Sequence, residues 1–114
     1  MPSMHDSLSL MLEKIILIED IVDEYGHISV ALEDERLGKP AILMHLIAIA
    51  EQLQRLQDTM EYEILSHFEK EDVRGAFAVR NFIAHDYEGV NMALIENVIR
   101  SFLPKIKAVI LTFK

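Results

Sequence analysis

Ala41-Ile-Leu-Met-His-Leu-Ile-Ala-Ile-Ala50 contains a single polar side chain, His45. A half-buried strand would place a polar residue at every second position, and this run does not alternate. Ile42, Leu46, Ile49, Leu53 and Leu56 instead step by three and four, the spacing of one helix face. The other sides are apolar as well, so the helix is expected to have protein around most of its circumference. Pro40 suits its first turn, where a missing N–H costs nothing. The fold is therefore read as all-α, with a central helix and partners arranged about it.

Those partners are legible on both sides. Upstream, a first helix is expected from Met4 to Tyr25, stopped by Gly26. Leu8, Leu12, Ile15, Ile18, Val22 and Tyr25 form its stripe, and Leu10, Leu17 and Ile21 widen the apolar face enough to suggest self-association. A short helix is expected around Val30 to Glu35, closed by Gly38. Downstream, Asp58 with Glu61 resembles a capping box for a short helix through Phe68. Glu69-Lys-Glu-Asp72 reads as a solvated connection whose last residue caps a helix running to His85. Asn91 is placed as the N-cap of a helix reaching Phe102. Pro104 bends or restarts it, and Ile106, Val109, Ile110 and Phe113 pack back on the bundle. With four glycines and three prolines in 114 residues, 1–114 reads as one up-and-down bundle of four to five main helices.

Composition narrows the functions. Half the chain is hydrophobic (51%) and 26% charged, which excludes a disordered tail. There is no cysteine, so thiolate chemistry and disulfides are absent and a cytoplasmic protein is expected. Met1-Pro-Ser-Met-His-Asp6 has no basic region ahead of an apolar run, and no apolar run is long enough for a membrane span. The net charge of −8 opposes nucleic acid overall, so an RNA-binding site has to be locally basic.

Chemistry concentrates in Val79-Arg-Asn-Phe-Ile-Ala-His-Asp-Tyr87. Asn81 and His85 are four apart and share a helix face. Arg80 and His85 are five apart, about 140° around an ideal helix. They converge if the helix ends near His85, if the Arg side chain wraps, or if a second chain completes the site. Arg80 supplies a permanent planar cation for a phosphate, and His85 a proton carrier near neutral pH. A purely structural role is also open, with Arg or His⁺ meeting helix-end carbonyls.

Arg80-x4-His85-x-Tyr87 resembles the Arg-x4-His-x-Tyr motif of HEPN domains, specifically the HepT-like toxin family. Ala41 to Glu51 resembles that family's central helix, and Gly89-Val-Asn91 with Leu103-Pro-Lys-Ile-Lys107 its last helices. The resemblance covers most of the chain, although Ala78-Val79 stands where the family often has Gly-Met. It implies a HEPN-like homodimer or higher oligomer with the motif at or beside the dimer cleft. It also implies a metal-independent endoribonuclease with Arg80 and His85 catalytic. The ribose 2′-hydroxyl would attack the neighbouring phosphorus and leave a 2′,3′-cyclic phosphate, so DNA is excluded and no cofactor is required. Asn81 would orient His85 or the phosphate. Glu51 occupies the place of a family acidic residue and either faces the site or pairs with Arg55. The substrate would be single-stranded or tRNA-like RNA. The implied partner is a nucleotidyltransferase antitoxin of a type VII-like pair, which adenylylates Tyr87. An alternative is a non-catalytic subunit that docks a nucleotidyltransferase or presents nucleotide to it; a plainer one is a helical oligomerisation module.

The remaining polar residues carry weaker signals. His45 and Glu51 lie six apart, off any metal-ligand spacing, and His45 reads as an interior or interface histidine. His5, His27 and His67 read as surface residues. Asp20, Asp23 and Glu24, and likewise Glu33-Asp-Glu35, read as solvated faces. No glycine-rich phosphate loop occurs, so the chain is not expected to transfer nucleotides itself.

Overall fold

A computed structural model of the chain describes residues 3–89 and 91–113. Val90, within the Gly89–Asn91 stretch of the resemblance, lies outside the described residues, as does the Met1-Pro2 start. Among the described residues seven α-helices follow one another: α1 Met4–Tyr25, α2 Ile28–Glu33, α3 Gly38–Asp58, α4 Tyr62–Leu65, α5 Lys70–His85, α6 Met92–Asn97 and α7 Leu103–Thr112. A π-helical turn, Val98–Phe102, joins the last two. No strand occurs among the described residues, and no helix is long and apolar enough to cross a membrane.

The apolar run Ala41–Ala50 lies in α3, which packs against α1, α2, α4 and α5. Ile42, Leu43, Leu46, Ile49, Ala50, Leu53 and Leu56 are all buried, so the expectation of a surrounded helix holds. Against them lie Leu8, Met11, Ile15 and Ile18 from α1, Val79 and Ile83 from α5, and Ile95, Ile106 and Ile110 from the C-terminal segment. This core comes from residues far apart in sequence, and its burial supplies most of the folding free energy. Lys107 adds an exposed tie, its ammonium donating to Glu19 at 2.9 and 3.1 Å and joining α7 to α1.

α1 has the expected bounds. Ser3 and Asp6 exchange side-chain and backbone bonds at its start, and Gly26 adopts the left-handed φ of 82° at its end. Of the residues thought to widen its face, Ile21 packs on the core and Leu10 and Leu17 are half-buried. Ile16 is the exposed one, at 40%.

Several local expectations are corrected. α2 starts two residues earlier than read, because His27 Nδ1 accepts the Ser29 N–H at 3.2 Å and caps it. It ends earlier too, because Asp34 turns inward. The Asp34 carboxylate accepts the Arg36 and Leu37 N–H groups at 3.0 and 3.1 Å, and the Tyr25 hydroxyl. Asp34 is thus a turn organiser, and its hydrogen bonds hold its carboxyl below the usual range, that from Tyr25 first. Gly38 opens α3 instead of closing α2. A Cβ there would stand 2.2 Å from the Ala31 carbonyl oxygen, so the close approach of α2 to α3 depends on it.

Asp58 and Glu61 form no capping box. Asp58 is the last residue of α3 and accepts the Gln54 amide at 3.0 Å, while Glu61 caps nothing with its side chain. α4 stops at Leu65, short of Phe68. The connection Glu69–Asp72 is not a loop, since α5 begins at Lys70. Asp72 is buried rather than capping, 3.4 Å from the Lys105 ammonium, with one carboxylate oxygen lacking any hydrogen bond.

Asn91 caps α6 through Oδ1, accepting from Ala93 and Leu94. The helix then widens at Val98 instead of continuing regularly to Phe102. The Leu103 N–H reaches back five residues to the Val98 carbonyl. Pro104, next in line, has no N–H to donate and its ring crowds the carbonyl of the turn before it, which the wider turn relieves.

Candidate functional site

α5 carries the motif from its last two turns into the following loop. His85 is its final residue, and the Asp86 N–H donates to the Phe82 carbonyl at 3.0 Å. The helix therefore does end where convergence of Arg80 and His85 would need it to. Arg80 nevertheless points elsewhere. Its guanidinium lies 5.0 Å over the Phe77 ring, one turn back towards the N-terminus of α5. There it lines a groove of about 330 Å³ with Glu51, Gln54, Arg55 and Asp58.

His85 does not line that groove. It is exposed together with Asn81 and Phe82, residues four and three positions before it on one helix face. Phe82 is 56% exposed, a large apolar ring left in solvent beside the imidazole. The chain thus groups Arg80 with Glu51, and His85 with Asn81 and Phe82.

The structural alternative is not realised in these contacts. Neither Arg80 nor His85 hydrogen-bonds a helix-end carbonyl, and neither forms an ion pair among the described residues. Glu51 and Arg55 are also unpaired with each other, although both line the Arg80 groove. An unpaired guanidinium beside a groove keeps its five donors available for an incoming oxyanion.

Tyr87 lies in the loop between α5 and α6. Its ring packs against the core, and the buried Lys39 of α3 places its ammonium 5.7 Å from the ring centre. The Tyr87 hydroxyl makes no hydrogen bond to the described residues. The loop is held by its neighbour instead, since Asp86 Oδ1 accepts the Gly89 N–H at 3.0 Å. Lys39 and Phe82 are the neighbours that sequence reading missed. Phe82 carried a signal, being a large apolar residue on the polar side of α5.

The other histidines do different work. His45, half-buried on α3, is held below its ordinary pKa first by burial and then by Lys14. His67 meets the Phe113 ring edge-on at 5.1 Å, tying the end of the α4 segment to α7. Among the described residues no group of three or more His, Cys, Asp or Glu side chains is disposed to hold a metal ion.

The family model described as Ribonuclease HepT-like matches residues 11–113, from the first helix to the last and through the whole motif. No curated protein and no solved structure matches the chain.

Proposed function

The chain belongs to the HepT-like ribonuclease family, and from that premise we propose that it is a metal-independent endoribonuclease toxin using Arg80 and His85. The observation that carries this reading is the pair itself. A guanidinium with no ion pair and an exposed imidazole sit five residues apart on one helix, the first resting on the Phe77 ring and the second without a partner among the described residues. Arg80 holds the scissile phosphate and steadies the charge added in the transition state. His85 takes the proton of the ribose 2′-hydroxyl as its oxygen attacks phosphorus. The P–O5′ bond breaks, the leaving oxygen takes a proton from water whose hydroxide is neutralised by the His85 imidazolium, and a 2′,3′-cyclic phosphate and a 5′-hydroxyl result. Asn81, on the face of His85, orients the imidazole or the phosphate, and Glu51 shapes the groove beside Arg80.

Within one copy Arg80 is folded back on Phe77, away from His85. A second copy packed over Phe82 would cover that exposed ring and bring its own histidine to the site. The active form is therefore a homodimer or larger. A nucleotidyltransferase antitoxin controls it by transferring AMP to Tyr87: the phenol oxygen attacks the α-phosphorus of ATP, pyrophosphate leaves, and the phenol proton passes to a base on the antitoxin. The unbonded Tyr87 hydroxyl supports this role, since modifying it breaks no bond of the fold.

The test is cleavage of labelled RNA by the purified chain, with product ends identified by mass. His85→Ala and Arg80→Lys should each reduce cleavage by at least a hundredfold, and EDTA should leave the wild type active. Loss in EDTA with recovery in magnesium would overturn the mechanism. With a nucleotidyltransferase antitoxin of this family's kind and ATP, the wild type should gain one AMP and Tyr87→Phe none. AMP uptake by a chain that never cleaves RNA would leave the docking-subunit reading.

A further inference from the structure

We propose that the cavity between α3, α4 and α5 is a subsite for one nucleotide of single-stranded RNA, its base against Tyr62 and Phe77 and its flanking phosphates at Lys70 and Arg74. The proposal rests on the ribonuclease reading and names how the substrate strand is held. The cavity measures about 450 Å³, and Gln57, Leu65, Phe68 and Val73 complete most of its wall. That volume falls within the range of ligand pockets.

Charge picks out the occupant. Lys70 and Arg74 line the cavity and no carboxylate is among its lining residues, although Glu69 and Glu71 flank Lys70 along the chain. The Arg80 groove carries Glu51 and Asp58, the groove at the start of α1 carries Asp6 and Glu13, and the one between α2 and α6 carries Glu33 and Glu96. In a chain of net charge −8, a cavity lined by cations alone is the locally basic site an RNA binder needs. Neither Lys70 nor Arg74 forms an ion pair or side-chain hydrogen bond among the described residues.

The aromatic groups match the same ligand. Tyr62 is 60% exposed, which leaves its ring open for a base to stack on. Phe77 lines the cavity and also carries the Arg80 guanidinium, so the cavity wall and the Arg80 side chain are in contact. Lys70, Arg74 and Phe77 step by four and three along α5, on one side of the helix. Arg80 stands six residues beyond Arg74, about 9 Å of helix rise and about 120° around the helix, but its guanidinium turns back over Phe77 towards the cavity. A strand with one base in the cavity therefore brings an adjacent phosphate to Arg80. An apolar peptide would leave both cations without a counter-charge.

Binding is measured by fluorescence anisotropy with a short labelled single-stranded RNA and the full chain carrying His85→Ala, so that no cleavage intervenes. Adding Tyr62→Ala should weaken binding about tenfold or more with the salt dependence unchanged, and Tyr62→Phe should restore it. Lys70→Gln with Arg74→Gln should lower the slope of log affinity against log salt by about 1.4. Free AMP should bind at least tenfold more weakly than the oligonucleotide. Unchanged affinity in the Tyr62→Ala and Lys70/Arg74 variants would overturn the subsite, and so would equal affinity for AMP or a change of oligomeric state in those variants. RNA bound this way by a wild-type chain that never cleaves would uphold the subsite while removing the nuclease. Cleavage untouched by the cavity variants would do the reverse.

Discussion

Asp72 shows how burial and pairing compete at one residue. Its side chain is 2% exposed, in the first turn of α5, with the Lys105 ammonium at 3.4 Å. Burial raises its pKa above the ordinary 3.8 and outweighs Lys105, while Glu69 and Glu71 push the same way as burial. A raised folded pKa means that the native state binds the proton more tightly than the unfolded chain. Stability from this residue is thus full below 3.8 and is lost as pH rises through the folded pKa. Asp72→Asn, neutral at every pH, should be the more stable protein at pH 7, by on the order of 1 kcal/mol. Its advantage should shrink at a second, acidic pH, below the raised pKa, where wild-type Asp72 takes up its proton. Thermal melts at the two pH values read this directly, and a variant less stable at pH 7 would mean that the Lys105 pair outweighs burial. Reading from sequence made Asp72 a cap, the usual role of an aspartate near a helix start. Its true setting depends on α7, a partner more than thirty residues away.

At the scale of elements, α5 and the π-helical turn meet closely at Gly75. A Cβ there would fall 2.2 Å from Phe102 Cε2 and 2.5 Å from Cδ2. Alanine in a helix interior gains about 1 kcal/mol over glycine, but here the ring would have to swing out of a packed position, costing about 1–3 kcal/mol. Gly75→Ala should therefore be neutral to destabilising by about 2 kcal/mol in chemical denaturation. In a Phe102→Leu background, where the crowding is relieved, the same change should become stabilising. A stabilised single mutant would show that the ring yields freely. Ends set by a local signal were legible: the first helix starts at Met4 as read, and Gly26 and Asn91 bound their helices. Ends set by the tertiary surroundings were not. The α3 terminus turns on Met60 at φ 60° and on the Thr59 hydroxyl bonded to the Arg55 carbonyl, neither of which a capping pattern announces. Asp34 looked like one more solvated carboxylate because its chief partner, Tyr25, lies nine residues back.

For the whole molecule, the all-α architecture and the family were legible because periodic apolar residues and the Arg–His–Tyr spacing are properties of the chain alone. The relation of Arg80 to His85 was not, since it depends on how a guanidinium settles on Phe77 and on what covers Phe82. That second question concerns association. Phe82 exposes 56% of its surface beside His85, and burying that remaining part against another copy is favourable by about 1–1.5 kcal/mol. Assembly over this face would also place two copies of the motif together, the arrangement that the divergent Arg80 and His85 of one chain require. The wild type should accordingly sediment as a dimer or larger at micromolar concentration. Phe82→Glu puts a charge in the centre of the proposed contact and removes no core packing, so it should shift the chain to monomer with its helical content unchanged. Cleavage should fall with the dimer, since each site then lacks its second half. A wild type that is monomeric yet active would remove the composite site, and Arg80 would then have to swing from Phe77 to reach its own His85. A dimer that survives Phe82→Glu would move the interface elsewhere, with the exposed Ile16 of α1 and Met44 of α3 as the next apolar positions to cover.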